Sequence, residues 1–228
     1  MAHCLIAGMT ESGKTTLAKL ICFQLSKRGI PTAVLDPLRD PEWATEKQFH
    51  EPAEFLAFVK ANRSFVLFVD EGGQSIGRYN KEMEWLATQS RHFGHSCFFI
   101  SQGVTQLPPI IRQQCSKFYV FACGESNSKL IAEECNEPLL KSVTRLQPGE
   151  FFEVSRFKKT TRNRIVFPKN SGSDRSPLDR LKLVPYNGGD AGERSTDQGT
   201  ENEHSEPGVS GGDSRRNSGP VSAADSGV

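Results

Sequence analysis

Along its first 168 residues the chain alternates short, nearly continuous apolar runs with longer stretches whose apolar residues recur every three or four positions. Runs of the first kind predict strands buried on both faces, and stretches of the second kind predict helices laid on a sheet. "AHCLIAG" reads as a strand, and "KTTLAKLICFQLSKRG" as a helix stopped at Gly29. "IPTAVLD" is a second strand, followed by a proline-containing loop, "DPLRDPEWATEKQF". "PAEFLAFVKANR" opens on Pro52 and reads as a helix, and "SFVLFVDE" is a buried strand. "NKEMEWLATQSRHFG" is a helix closing at Gly94, and "SCFFISQ" is a strand. "LPPIIRQQC" is a short helix, "KFYVFACG" a strand and "ESNSKLIAEECN" a helix. "GEFFEVSRFKKTTRNRIVFP" reads as an antiparallel hairpin with a basic turn. Alternating strands and helices predict an α/β fold with a mostly parallel sheet covered on both faces and a C-terminal hairpin.

Past Tyr186 the pattern stops. Residues 187–228 contain no aromatic residue, leucine, isoleucine or methionine, so they cannot bury enough apolar surface to offset the entropy of ordering. The expected organisation is one α/β domain over residues 1–170, a linker or docking segment over 171–186 and a disordered acidic tail over 187–228.

Charge sharpens this division. The formal net charge is +1, but residues from Ser171 onward carry ten acidic and six basic side chains, which leaves the preceding body at +5. Such a body is compatible with a nucleic-acid partner without requiring one. The six cysteines form no C-x-x-C pair and mostly sit in apolar runs, which argues for reduced packing residues rather than a disulfide frame or a zinc site. The longest apolar runs, "FVLFV" and "CFFI", are too short to span a bilayer. A soluble protein of a reducing compartment is expected.

The candidate chemistry begins at residue 8. "GMTESGKT" places Gly8, Gly13, Lys14 and Thr15 in the phosphate-loop pattern, between a strand and a helix. Glycines let backbone N–H groups close around phosphate, the lysine reaches the β- and γ-phosphates, and the threonine hydroxyl ligates Mg²⁺. Residues Gly8, Met9, Thr10, Glu11, Ser12, Gly13, Lys14, Thr15 and Thr16 are therefore the expected seat of ATP. Asp70, at the end of "FVLFVDE", is expected to hold the Mg²⁺ with Thr15, and Glu71 to orient and deprotonate a water. An adjacent base favours hydrolysis over transfer to an acceptor. Gln102, ending "SCFFISQ", is expected near the γ-phosphate as a sensor.

The order of the phosphate loop, "FVLFVDE", "RHFGHSCFFISQ", "LPPIIRQQCSKFYVF" and "LQPGEFFEV" resembles the FtsK/HerA superfamily of DNA-pumping ATPases. Leu146, Gly149 and Glu150 match that family's late Leu-x-x-Gly-acid hairpin. The small size is most similar to the genome-packaging ATPases of tailless, membrane-containing icosahedral phages of the tectivirus type. No N-terminal membrane anchor and no C-terminal winged-helix domain is expected. The resemblance implies a RecA-like P-loop NTPase with an additional strand, using ATP and Mg²⁺ and assembled as a homo-oligomeric ring of six. It also implies double-stranded DNA in the central channel, and docking at a capsid packaging vertex that includes small membrane proteins. The expected location is the virion and the host cytoplasm. Because the phosphate loop has no arginine, Arg91 or Arg112 is expected to complete the site, Arg91 first and from a neighbouring subunit. Arg156, Lys158, Lys159, Arg162 and Arg164 are expected to contact DNA phosphates from an exposed hairpin tip. A small nucleotide or nucleoside kinase, and a minor virion protein binding ATP as a structural ligand, are the alternatives.

Overall fold

The computed structural model describes residues 3–71, 81–156, 158–166 and 177–186. Residues 187–228, expected as an acidic tail, lie outside the described residues. Nine strands join in one sheet in the order β3-β2-β4-β5-β1-β6-β7-β8-β9. The strands are β1 (His3–Ala7), β2 (Thr32–Leu35), β3 (Gln48–Phe49), β4 (Val66–Val69), β5 (Ser96–Ser101), β6 (Cys115–Phe121), β7 (Glu150–Ser155), β8 (Lys158–Val166) and β9 (Lys182–Pro185). Strands β1 to β6 pair in parallel, and β6 to β9 antiparallel. β5 lies between the strand that leads into the phosphate loop and the strand that ends at Asp70. This is the additional-strand arrangement that the family resemblance implies.

The helices are α1 (Lys14–Lys27), α2 (Pro52–Ala61), α3 (Lys81–Thr88), α4 (Pro109–Gln114) and α5 (Glu125–Glu134). Every residue of β1, β2 and β4 is buried, which is why these segments read as unbroken apolar runs. One face of the sheet packs on α2, α3, α4 and α5 through residues such as Phe55, Leu86, Ile111 and Ile131. The other packs on α1 through Leu17, Ala18, Leu20 and Cys22, with Trp43 and Leu181 filling beside it. Each fully buried leucine or phenylalanine contributes about 1.5–3 kcal/mol. The Phe68 and Phe98 rings stack across β4 and β5 at 4.9 Å and 11°. None of the six cysteines forms a disulfide, and burial pushes the thiols up, Cys4 to about 12 and Cys123 to about 11. Such thiols pack rather than react.

Several local features differ from the sequence expectation. The loop after β2 ends in a two-residue strand, β3. The helix expected to close at Gly94 divides into α3 and a 3₁₀ turn, Ser90–Phe93. A longer 3₁₀ stretch, Pro138–Arg145, precedes β7. Residues 177–186 belong to the same compact unit as the sheet: Pro177–Arg180 sits beside α1, where Asp179 pairs with Lys27, and β9 pairs with β8. The basic tip is corrected outright. Ser155 already pairs with Lys158 across the hairpin, and Lys158, Lys159, Arg162 and Arg164 lie along β8 itself.

Among the described residues no helix is long and apolar enough to cross a membrane.

Candidate active site

The C-terminal ends of the parallel strands meet at one edge of the sheet, where α/β proteins bind ligands. β1 delivers Gly8 there, between the ends of β5 and β6. Its N–H donates to the Ser101 carbonyl (3.3 Å), and the Met9 N–H donates to the Ala122 carbonyl (2.7 Å). A Cβ at Gly8 would lie 2.6 Å from the Phe121 Cβ and 2.8 Å from the Ser12 Oγ, so the loop closes only on glycine. Glu11 and Gly13 adopt positive φ, 62° and 105°, and turn the chain into α1. No side chain caps α1 and no acidic residue stands in its first turn. Its N-terminal N–H groups and dipole are thereby left for an anion.

Lys14 is buried and its Nζ donates to the Met9 carbonyl at 2.8 Å, bridging the loop. Burial lowers its pKa, while the Glu71 and Asp70 carboxylates oppose the shift. Asp70 is the first residue after β4 and is buried. Burial pushes its carboxyl up to about 6, against the Glu71 backbone N–H that bonds it at 2.9 Å; the Glu71 and Asp36 charges raise it further and Lys14 lowers it. A divalent cation beside Asp70 would reverse this balance and hold the carboxylate ionised.

Glu71 turns away from the strand with φ 49°. Its two carboxylate oxygens each accept from the Gln102 Nε2 at 3.2 Å, and the Gln102 Oε1 accepts from the Thr10 hydroxyl at 3.5 Å. A polar chain therefore runs from the phosphate loop through the end of β5 to the end of β4. Thr15, Thr16, Asp36, Asp70 and Glu71 line a cavity of about 310 Å³. A hydroxyl and one buried carboxylate beside phosphate oxygens suit Mg²⁺, which keeps waters and needs no all-protein cage.

Sequence reasoning missed the outer wall of this cavity. Asp36 ends β2 as Asp70 ends β4, and the pattern "VLD" carried the same signal. Its carboxylate accepts the Leu38 N–H (3.0 Å), the Asp40 N–H (2.6 Å) and the Gln48 amide (3.1 Å), fixing the loop that follows. Lys19, buried on α1, pairs with Asp40 and with Glu42 (2.9 Å) in that loop.

The two candidate arginines lie elsewhere. Arg91 is exposed and donates to the Gln114 carbonyl, just ahead of β6, and its charge lowers the pKa of His3 at the start of β1. It thus stands at the edge where the parallel strands begin, roughly 20 Å of strand from the phosphate loop. It cannot reach the phosphate loop of the same chain. Arg112 is buried and committed, not turned to the site: it donates to Glu134 (2.7 Å) and to the Val104 (3.3 Å) and Leu107 (2.6 Å) carbonyls, a structural tie between α4 and α5.

The basic residues are divided in the same way. Lys158, Lys159 and Arg164 are exposed on β8. Arg156 is exposed and donates to the Gln113 carbonyl at 3.0 Å. Arg162 donates to Glu150 at 2.7 Å, and its guanidinium lies 3.7 Å from the centre of the Tyr186 ring.

Residues 1–65 match the family model described as helicase HerA, central domain. The structure is similar to the genome-packaging NTPase B204 of Sulfolobus turreted icosahedral virus 2 in complex with AMPPCP. The two are 18% identical, with a TM-score of 0.60 over 71% of this chain and 95% of that one. It is also similar to the conjugation coupling protein TcpA of pCW3 in its monomer form with ATPγS (16% identity, TM-score 0.52, 71% of this chain and 59% of that one). VirB4 of Thermoanaerobacter pseudethanolicus is a third similar structure (12% identity, TM-score 0.51, 70% of this chain and 87% of that one). A comparison with curated proteins finds no match. Phosphate loop, inserted strand and overall likeness converge on one fold: this chain is built as a P-loop NTPase, and its first 65 residues resemble the central domain of helicase HerA.

Proposed function

We propose that the chain is an ATP-hydrolysing motor that translocates double-stranded DNA and packages a viral genome into a preformed capsid. The observation that supports this best is the placement of Glu71, held by Gln102 beside Asp70 and Thr15 at one cavity. In this reading residues 8–16 hold the phosphates of ATP, with Lys14 supplying the cation. Mg²⁺ would be held by Thr15 and Asp70 and would neutralise phosphate charge. Glu71 orients a water and takes its proton as the water oxygen bonds to the γ-phosphorus. The bond from that phosphorus to the β–γ bridging oxygen breaks, and ADP leaves with the oxygen. The Gln102 amide keeps the Glu71 carboxylate aimed and links it to Thr10 of the phosphate loop.

The packaging role is supported by the B204 likeness, which spans 95% of that packaging NTPase. A ring of six completes each site with Arg91 from the neighbouring subunit, because Arg91 stands too far from its own. Duplex DNA contacts Lys158, Lys159 and Arg164, with Arg156 at the turn. The ring works at a packaging vertex of the virion, docked on capsid and small membrane proteins, after synthesis in the host cytoplasm. The test is phosphate release by purified protein with and without duplex DNA at two salt concentrations. DNA stimulation that weakens at higher salt, and its loss in Glu71→Gln with ATP binding retained, is the expected result. Glu71→Gln turning over at the wild-type rate would remove Glu71 as the base.

A further inference from the structure

The family-type turn ahead of β7 touches the phosphate loop on one side and the basic strand on the other. The Gly149 N–H donates to the Ser12 carbonyl at 2.9 Å, and the Gly149 carbonyl accepts from the Ile165 N–H of β8 at 2.9 Å. The next residue, Glu150, is buried. One of its carboxylate oxygens, Oε2, accepts both the Gln147 N–H that closes the turn (3.1 Å) and the Arg162 guanidinium (2.7 Å). Arg164 stands opposite Glu150 in the strand register and is exposed. Arg162 retains an uncommitted donor, since its Nε is buried without an acceptor among the described residues. Tyr186 covers the guanidinium and donates its N–H to the Arg162 carbonyl at 2.8 Å.

We infer that the Glu150–Arg162 pair couples the phosphate loop to bound DNA, by exchange of Arg162 between the Glu150 carboxylate and a DNA phosphate. This rests on the DNA-translocase reading above. A DNA backbone phosphate offers Arg162 a second anion that suits the guanidinium fork, and Arg164 beside it draws that phosphate to the strand. When Arg162 turns to the phosphate, the buried Glu150 loses its counter-charge, which is costly to leave uncompensated. The Gln147–Glu150 turn then relaxes, and Gly149 with it, where it meets Ser12. The phosphate loop thereby senses DNA through two hydrogen bonds and one ion pair.

The experiment compares wild type, Glu150→Gln, Arg162→Lys, Arg162→Gln and the double variant Glu150→Gln/Arg162→Gln. It measures binding of a fluorescent duplex by anisotropy, and phosphate release with and without saturating duplex. The ratio of the two rates is unaffected by the folded fraction, because both rates scale with it. The ratio should fall roughly fivefold or more in Glu150→Gln while duplex binding persists. It should fall equally in Arg162→Gln, and Arg162→Lys should restore part of it. The double variant should be no worse than the lower single variant, as expected for two partners in one interaction. If Glu150→Gln does not fold, the two Arg162 variants carry the same test. A wild-type ratio in Glu150→Gln, or in Arg162→Gln where Glu150→Gln cannot be purified, or independent multiplying losses in the double variant, would overturn the coupling while leaving the DNA reading intact. A wild-type protein that neither binds nor responds to duplex would overturn both.

Discussion

Asp70 is placed where a carboxylate is least comfortable without a cation. It is buried at the end of β4, and its pKa is raised from 3.8 to about 6. For a carboxyl raised on folding, the stabilising contribution is fully present below about pH 3.8 and is lost as the pH rises through about 6. Above pH 6 the protein therefore carries an ionised buried acid, at a cost on the order of 2–3 kcal/mol. Asp70→Asn should raise the melting temperature at pH 8 and leave it unchanged near pH 3.5, as thermal denaturation would register. Mg²⁺ with a non-hydrolysable ATP analogue should stabilise the wild type at pH 8 and stabilise Asp70→Asn far less. Equal melting curves for the two proteins at pH 8 would show that Asp70 is not strained. At this scale the strand-end residues Asp70, Glu71 and Gln102 were legible, because each follows an apolar run at the ligand-binding edge. Asp36 carried the same local sign but was hidden by the loop after it, whose fold-back onto Asp36 depends on Gln48 and on backbone N–H groups. Arg112 gave no sign of burial, since its partner Glu134 lies 22 residues further along the chain.

At the scale of elements, the order of strands and helices followed from periodicity, and the hairpin from two apolar runs, "EFFEV" and "RIVF", on either side of a basic segment. The position of its turn did not. The run "RFKKTTRNR" combines charges that suggest a loop with Thr160 and Thr161, whose β-branched side chains favour a pleated strand. Pairing with β7 on one side and β9 on the other settles the conflict in favour of the strand. The consequence is a DNA-contact prediction for one strand rather than a tip. Charge-neutral substitution of Lys158, Lys159 and Arg164 together should weaken duplex binding uniformly across sequences. It should also flatten the plot of log affinity against log salt by roughly 0.9 for each phosphate that is no longer neutralised, as salt titration of a labelled duplex measures. An unchanged slope would place the DNA elsewhere. Residues 177–186, read as a linker or docking segment, contribute β9 and the Tyr186 ring; the pairing of such a short segment depends on an edge strand the sequence does not announce.

At the scale of the whole molecule, Arg112 is tied between α4 and α5, and Arg91 stands at the sheet edge opposite the candidate site. The proposed ring would bring Arg91 to a site if it set one subunit's strand-start edge toward the next subunit's phosphate loop. Mixing inactive Arg91→Ala subunits with inactive Glu71→Gln subunits should then recover part of the ATPase activity, because some interfaces pair an intact arginine with an intact base. No recovery in oligomers shown to exchange subunits would contradict action in trans. The account stands most directly on movement along DNA, which a duplex carrying a bound third strand reports. With ATP, the wild-type protein should displace the third strand from the duplex; with a non-hydrolysable analogue, or in Glu71→Gln, it should not. Duplex-stimulated ATP hydrolysis without displacement of the third strand would contradict a translocating motor.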